Sequence, residues 1–310
     1  MSVAYVEPFR RAWERMKLAL FRPFDLHKWF VVGFNGFLAG LAESRNGSAG
    51  GRGRGDMSFR EFLYFPDRAW NWLTSHPGWF IAIGFLAVVV IAVGIILLWL
   101  SSRGKFMFLD NVVHNRAEIA KPWREFQKEA NSLFLWRLLF GFVSFAIFVA
   151  FIVFFFVGAR QLLDVGFGRR VPILFLAGMG LAFLLLLIII GYISLFLNDF
   201  IVPIMGRDRL TAVAGWRRFL PLLGHYPFHF VLYGLLIFVL YVLFVVVVIV
   251  AGLMTCCIGW LLLVIPYIGT VVTLPFWYTL RAFSLEFLGQ FGPEYVMSSA
   301  PPVQPEAPPA

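Results

Sequence analysis

Apolar residues in this chain fall into long unbroken runs separated by short polar stretches. The runs are too long for buried strands and too uniform for the one-sided stripe of a surface helix. The clear ones are Trp79–Leu100, Leu133–Val157, Val171–Leu197, Phe228–Leu253 and Trp260–Leu280, each able to cross a hydrocarbon core of ~30 Å when tilted. A sixth run, Leu26–Ala42, is shorter. With Asp25 as its N-cap and Lys28 carrying its ammonium out to the interface, it reads as a short span or as a re-entrant helix. The pattern predicts an all-α integral membrane six-helix bundle over residues 1–291, with spans near 26–42, 79–100, 133–157, 171–197, 228–253 and 260–280.

The polar stretches repeat. Three times a segment with a central tryptophan precedes a pair of apolar runs: Trp13-Glu14-Arg15-Met16, Trp123-Arg124-Glu125-Phe126 and Trp216-Arg217-Arg218-Phe219, in units of about 100 residues. Helical spacing places Phe9, Trp13, Met16 and Leu20 on one face of the first segment. It does the same for Trp123, Phe126, Ala130 and Leu133, and for Val213, Trp216, Leu220 and Leu223. An apolar stripe backed by charge suits an amphipathic helix lying in the headgroup region, with tryptophan at the boundary. The second run of each unit ends in an aromatic stretch carrying an acid, Asp110, Asp199 or Glu286. A carboxylate there needs a partner, and Arg124, Arg217 and Arg218 are the expected ones for Asp110 and Asp199.

Two segments read as linkers. The loop 44–57 is glycine-rich and flexible by composition, and its Arg-Gly repeats face away from the cytoplasm, which argues against nucleic-acid binding. After it, Ser58 and Glu61 fit a capping box. Phe59, Phe62, Leu63, Trp70, Trp72 and Leu73 then supply a second interfacial helix broken at Pro66. The proline-rich tail, 292–310, reads as disordered.

Charge sharpens the picture. Only 14% of the residues are charged and 60% are hydrophobic, against roughly 25% charged in soluble domains, so most of the surface is expected to face lipid. Six spans put 18 of the 26 lysines and arginines on one side and 8 on the other. The positive-inside rule then places both termini in the cytoplasm. The first 28 residues hold no apolar run long enough for a signal-peptide core. Cys256 and Cys257 are adjacent within an apolar stretch and suit neither a disulfide framework nor a zinc site.

Candidate chemistry is sparse. From Phe30 to Ala42, Phe80 to Leu100, Leu138 to Val157, Ile173 to Leu197, Phe230 to Leu253 and Trp260 to Leu280 there is no Asp, Glu, Lys, Arg or His, which argues against ion-coupled carriers, proton pumps and charge-selective channels. Asn35 lies beside Gly36-x-x-x-Gly40, a spacing that favours close helix packing, and Pro266 and Pro275 are positioned to kink the last span. His225 and His229 share a helical face only if a helix begins before Pro227, and no carboxylate completes a His-Glu-x-x-His motif. The best polar surface is formed by Arg103, Lys105, Asp110, Asn111, His114, Arg116 and Arg124, and mixed charge at a headgroup boundary points to lipid contact. No catalytic residue, metal site or cofactor is expected.

A span end with Asp-Phe-Ile-Val-Pro, a Trp-Arg-x-Phe helix and a Tyr- and Phe-rich span together resemble the multi-pass membrane domain fused to some bacterial glycerophosphodiester phosphodiesterases. The matching residues are Phe108–Val113 with Trp123–Phe126, and more closely Asp199–Pro203 with Trp216–Phe219 and Tyr226–Tyr233, within Ser101–Gly289. The phosphodiesterase barrel has no counterpart, so no catalytic residue carries over. The resemblance implies a six-span membrane domain of unknown role. The expected function is a non-enzymatic membrane organiser or accessory factor that binds lipid, through anionic headgroups on the cytoplasmic face, or a partner protein. A carrier of a lipid or other hydrophobic substrate is the alternative.

Overall fold

The computed structural model describes residues 3–22, 24–42, 63–164, 170–255, 259, 262, 263 and 265–297. Among these residues every regular element is helical. In chain order the helices are α1 (Val6–Leu20), α2 (Leu26–Gly40), α3 (Phe65–Ser75), α4 (Pro77–His114), α5 (Ala120–Glu125), α6 (Gln127–Asp164) and α7 (Arg170–Phe196). A π-helical turn, Leu197–Ile201, leads from α7 into α8 (Val202–Asp208). Then follow α9 (Ala212–His225), α10 (Pro227–Met254), α11 (Pro266–Val272) and α12 (Leu274–Leu288). Among the described residues four stretches are long and apolar enough to cross a membrane: α4, α6, α7 with its continuation to Asp208, and α10.

Local chemistry explains where these helices start and stop. The Asp25 carboxylate accepts the His27 N–H at 2.8 Å and caps α2, as expected. Thr211 caps α9 through the Ala214 N–H. Prolines stand in the first turn of α3, α8, α10, α11 and α12, where the missing N–H costs nothing. Arg209 adopts the left-handed conformation after α8, and Asn115 does so just past the end of α4. The bonds Leu210 N–H to Met205 and Arg116 N–H to Asn111 close those two ends.

Three of these prolines stand at interruptions of expected helices. Pro66 stands in the first turn of α3, directly after the turn at Tyr64 that follows helical Leu63, a place where its missing N–H costs nothing. Pro266 and Pro275 likewise divide the expected span 260–280 into α11 and α12, of 7 and 15 residues, with Thr273 between them. α2 also has only 15 residues, about 22 Å of helix. The linker 44–57, the capping box Ser58–Glu61, Phe59, Phe62, Cys256, Cys257 and the tail beyond 297 lie outside the described residues.

The chain divides into two compact units. One comprises Met1–Ala42, Trp99–Trp136 and Ser194–Ala310. At its centre lies Ser101–Val112 of α4, in which all twelve residues are buried, charged ones included. Gly104 makes this packing close. A Cβ there would stand 2.5 Å from the Ala39 backbone nitrogen, so α2 crosses α4 at this residue. Around α10 an aromatic cluster of Phe196, Phe200, Phe219, Phe230, Tyr233, Phe283 and Phe287 fills the core. Along α10 the burial stops early: Phe230, Tyr233, Gly234 and Ile237 are buried, while most of Leu235–Met254 is exposed.

The other unit comprises Glu43–Leu98 and Arg137–Ile193. Within it α6 and α7 pack through Phe148, Phe151 and Phe155 against Phe183 and Phe175. α3 is held by Arg160, which donates to the Leu63 carbonyl at 2.9 Å, pairs with Asp67 at 2.8 Å and covers the Tyr64 ring. Trp70 and Trp72 of α3 are exposed.

Two glycines of α4 provide an internal comparison. Gly104→Ala forces a methyl group into the α2 backbone and is expected to destabilise the protein by about 1–3 kcal/mol. Gly94→Ala meets nothing within 4 Å and is expected to be neutral or stabilising by up to ~1 kcal/mol through helix propensity. Thermal unfolding of the two variants in one detergent checks the contrast.

Candidate functional site

The site is built on α1. Its buried side carries Pro8, Ala12, Met16, Ala19 and Leu20, and the two alanines let α1 lie close against α12. Of the stripe read from hydropathy, Met16 and Leu20 are buried and Trp13 is 45% exposed. On α9, Ala212, Gly215 and Phe219 are buried while Val213 and Leu220 are exposed. In the second segment Phe126, Ala130 and Leu133 are buried in the protein.

α1 is clamped at both ends and in the middle. The Ala4 N–H donates to Gln290 Oε1 at 2.9 Å, and Gln290 Nε2 donates back to the Ala4 carbonyl at 3.0 Å. The Tyr5 hydroxyl meets His229 Nδ1 at 2.8 Å, and burial pushes the Tyr5 phenol above its ordinary range. Arg15 donates to the Val112 and Val113 carbonyls at 3.1 and 2.8 Å, at the end of α4, and faces Glu286 of α12 at 3.8 Å. Those carbonyls belong to the last turn of a helix, where a cation is favoured by both hydrogen bonding and the helix dipole. The Trp29 indole N–H closes the far end on the Leu20 carbonyl at 2.7 Å.

Clamped this way, α1 walls one side of an apolar groove of about 610 Å³. Phe9 and Trp13 line it from α1, Leu240 through Thr255 from one face of α10, and Thr273 through Leu280 from the α12 region. The volume falls within the ~300–1,000 Å³ typical of small-molecule sites. None of the lining residues is ionisable. The lining threonines spend their protons within their own helices: Thr255 on Ala251 O, Thr273 on Gly269 O and Thr279 on Pro275 O.

Charges stand on the outer edge of α1. Arg10 pairs with Glu7 at 3.0 Å and Lys17 with Glu14 at 2.7 Å, all on exposed side chains. The hydrogen bond from Arg10 is the main reason the Glu7 carboxyl lies below its usual range.

Of the three acids, Glu286 meets an arginine of a tryptophan helix, as the repeat suggested, while Asp110 pairs with residues of its own turn. Asp110 is buried and pairs with Arg116 at 3.1 Å and His114 at 2.9 Å. Asp199 accepts the Tyr233 hydroxyl at 2.9 Å, and Glu286 faces Arg15. Arg218 instead binds Asp208 at 2.7 Å, while Arg124 and Arg217 form no ion pair among the described residues. The correction has a geometric cause. The turn at Asn115 folds the chain straight back on the end of α4, so the nearest arginine in sequence reaches Asp110 first.

The expected polar surface is largely interior. Arg103, Lys105, Asp110 and Asn111 are buried. Lys105 bonds Asn198, and Arg281 donates to the Asn198 carbonyl at 2.6 Å. The Arg103 guanidinium lies between the rings of Trp99 and Trp123, at 4.6 and 4.7 Å, an arrangement that replaces water with aromatic faces. Trp216 stacks on Trp136. Thus Trp13, Trp123 and Trp216 occupy three different environments. Gly36 is buried beside Phe108 and Thr270, and Gly40 is half-buried at the end of α2; the tightest contact on α2 is at Gly33, against Val271. His225 ends α9 and His229 belongs to α10. Among the described residues no three His, Cys, Asp or Glu side chains group as a metal site.

Residues 4–291 match a family described as a family of unknown function (DUF7544). No curated protein and no solved structure matches the chain.

Two arginines of α1 differ in what they hold. Arg15→Ala removes a charged donor from two helix-end carbonyls and is expected to cost about 1.5–3 kcal/mol. Arg10→Ala breaks an exposed pair and is expected to cost less than about 0.5–1 kcal/mol. Unfolding midpoints in detergent measure the difference.

Proposed function

The chain belongs to the family of unknown function DUF7544, and we propose that it is an integral membrane protein of the bacterial plasma membrane whose non-enzymatic role is to hold and organise lipid. The carrying observation is the groove beside α1: an uncharged, chain-wide opening walled by Phe9 and Trp13 on a helix with basic residues along its edge. In this reading α2 and the α11–α12 pair are short spans that complete six with α4, α6, α7 and α10. The three tryptophan helices then lead three repeated units, with Trp13, Trp123 and Trp216 marking each one. Both termini are cytoplasmic, on the side that receives 18 basic residues and attracts anionic headgroups.

Several features support the reading. Val213 and Leu220 of α9 and Phe21 beside α1 are exposed next to basic residues, as expected of amphipathic helices that rest on lipid. The aromatic motifs at Asp199–Pro203 and Trp216–Phe219 carry, within this proposal, the resemblance to the membrane domain of bacterial glycerophosphodiester phosphodiesterases. A second reading, a carrier of lipid or another hydrophobic substrate, is favoured by the groove volume alone.

One reconstitution separates the two. The full chain is placed in vesicles containing equal zwitterionic and anionic phospholipid, with spin-labelled lipid of each kind. An organiser immobilises the anionic label preferentially, and the preference falls as salt is raised. Equal immobilisation of both labels overturns the proposal, and faster movement of labelled lipid between leaflets than in protein-free vesicles replaces it with the carrier.

A further inference from the structure

We propose that the groove is a binding site for one acyl chain of an anionic phospholipid, taken from the leaflet at the α1 end, with its phosphate received by Arg10 and Lys17. The inference rests on the lipid-binding reading above and gives that function a specific site.

The shape of the groove sets the occupant. Leu240, Leu243, Phe244, Val247, Ala251 and Thr255 recur every three to four residues along a single face of α10. From Leu240 to Thr255 that face runs about 22 Å, longer than half of a ~30 Å hydrocarbon core. A linear chain fills such a space and a compact polar ligand does not. With the lining hydroxyls donating within their own helices, little along the α10 face rewards a polar group, and each buried methylene contributes about 0.8 kcal/mol.

The groove has two distinguishable ends. Thr255, Gly259 and Leu262 lie at one, far from charge in the sequence; Phe9, Trp13, Leu240 and Leu280 lie at the other. At the second end Arg10 stands three residues before Trp13 and Lys17 four after it, so helical spacing puts all three on neighbouring positions of α1. Their current partners, Glu7 and Glu14, are exposed, and exposed pairs of this kind contribute little. A phosphate diester can therefore take either cation at small cost. Trp13, 45% exposed, occupies the boundary position that tryptophan favours between chain and headgroup.

The test uses the full chain purified in detergent, native mass spectrometry and analysis of the retained lipid. The wild type is expected to keep one phospholipid per chain, enriched in anionic headgroups. Ala251→Trp and, as a second variant, Val248→Trp fill the groove and should each lower retention about tenfold. Val242→Trp, on the opposite face of α10, should retain lipid as the wild type does. Arg10→Gln with Lys17→Gln should keep the lipid but bring anionic and zwitterionic headgroups to parity. Unchanged retention in both groove variants, with their unfolding midpoints at the wild-type value, overturns the site, as does equal loss in Val242→Trp. Either result leaves the spin-label preference in vesicles standing, so failure of the site is distinguishable from failure of the proposed function.

Discussion

A helix that ends inside a packed protein leaves its last carbonyls without partners, and the arrangement of the larger unit follows from how α4 meets that requirement. Arg15 reaches from α1 to the Val112 and Val113 carbonyls while facing Glu286 of α12. Three helices distant in sequence are tied at one guanidinium. Its planar fork suits the task, because several N–H groups point at separate acceptors at once. With α1 pinned there, Phe9 and Trp13 have a defined place beside α10, and the groove acquires its wall.

The same unit buries charge where a lipid-facing helix carries none. Ser101–Val112 is polar in parts yet enclosed on all sides, with Arg103 between two indoles, Lys105 on Asn198 and Asp110 on Arg116. Each charge has a matched neighbour, which offsets the desolvation that burial imposes. Beyond Ile237 the surface of α10 is apolar and exposed, and beyond Trp99 toward the start of α4 it is the same. One helix thus serves two solvents along its length: protein at the polar end, and at the apolar end a surroundings that need supply no hydrogen bond.

The sequence was most legible where one physical effect dominated. Long apolar runs located α4, α6, α7 and α10, and the carboxylate of Asp25 marked the start of α2. It was least legible where packing overruled hydropathy. The inner side of α1 is set by Pro8, Ala12 and Ala19, residues chosen by closeness of approach, and a hydropathy stripe points instead to Phe9 and Trp13. Arg103, Lys105 and Asp110 read as surface because charge usually is, and neighbours distant or folded back in the chain, Trp123, Asn198 and Arg116, enclose them. The groove itself has no sequence signal. It arises between α1, α10 and α12, from residues that in isolation look like any other lipid-facing side chains.

The reciprocal bonds between Ala4 and Gln290 join residues 286 positions apart. Such a contact sets an order of assembly. At roughly 5–20 residues per second, synthesis takes about 15–60 s to travel from the first of these residues to the second. Throughout that interval α1 exists without α12 to lie against, and the bonds of Arg15 to the end of α4 are available to it first. The helix made first is therefore the one seated last, and the groove beside it closes only when the chain is nearly complete.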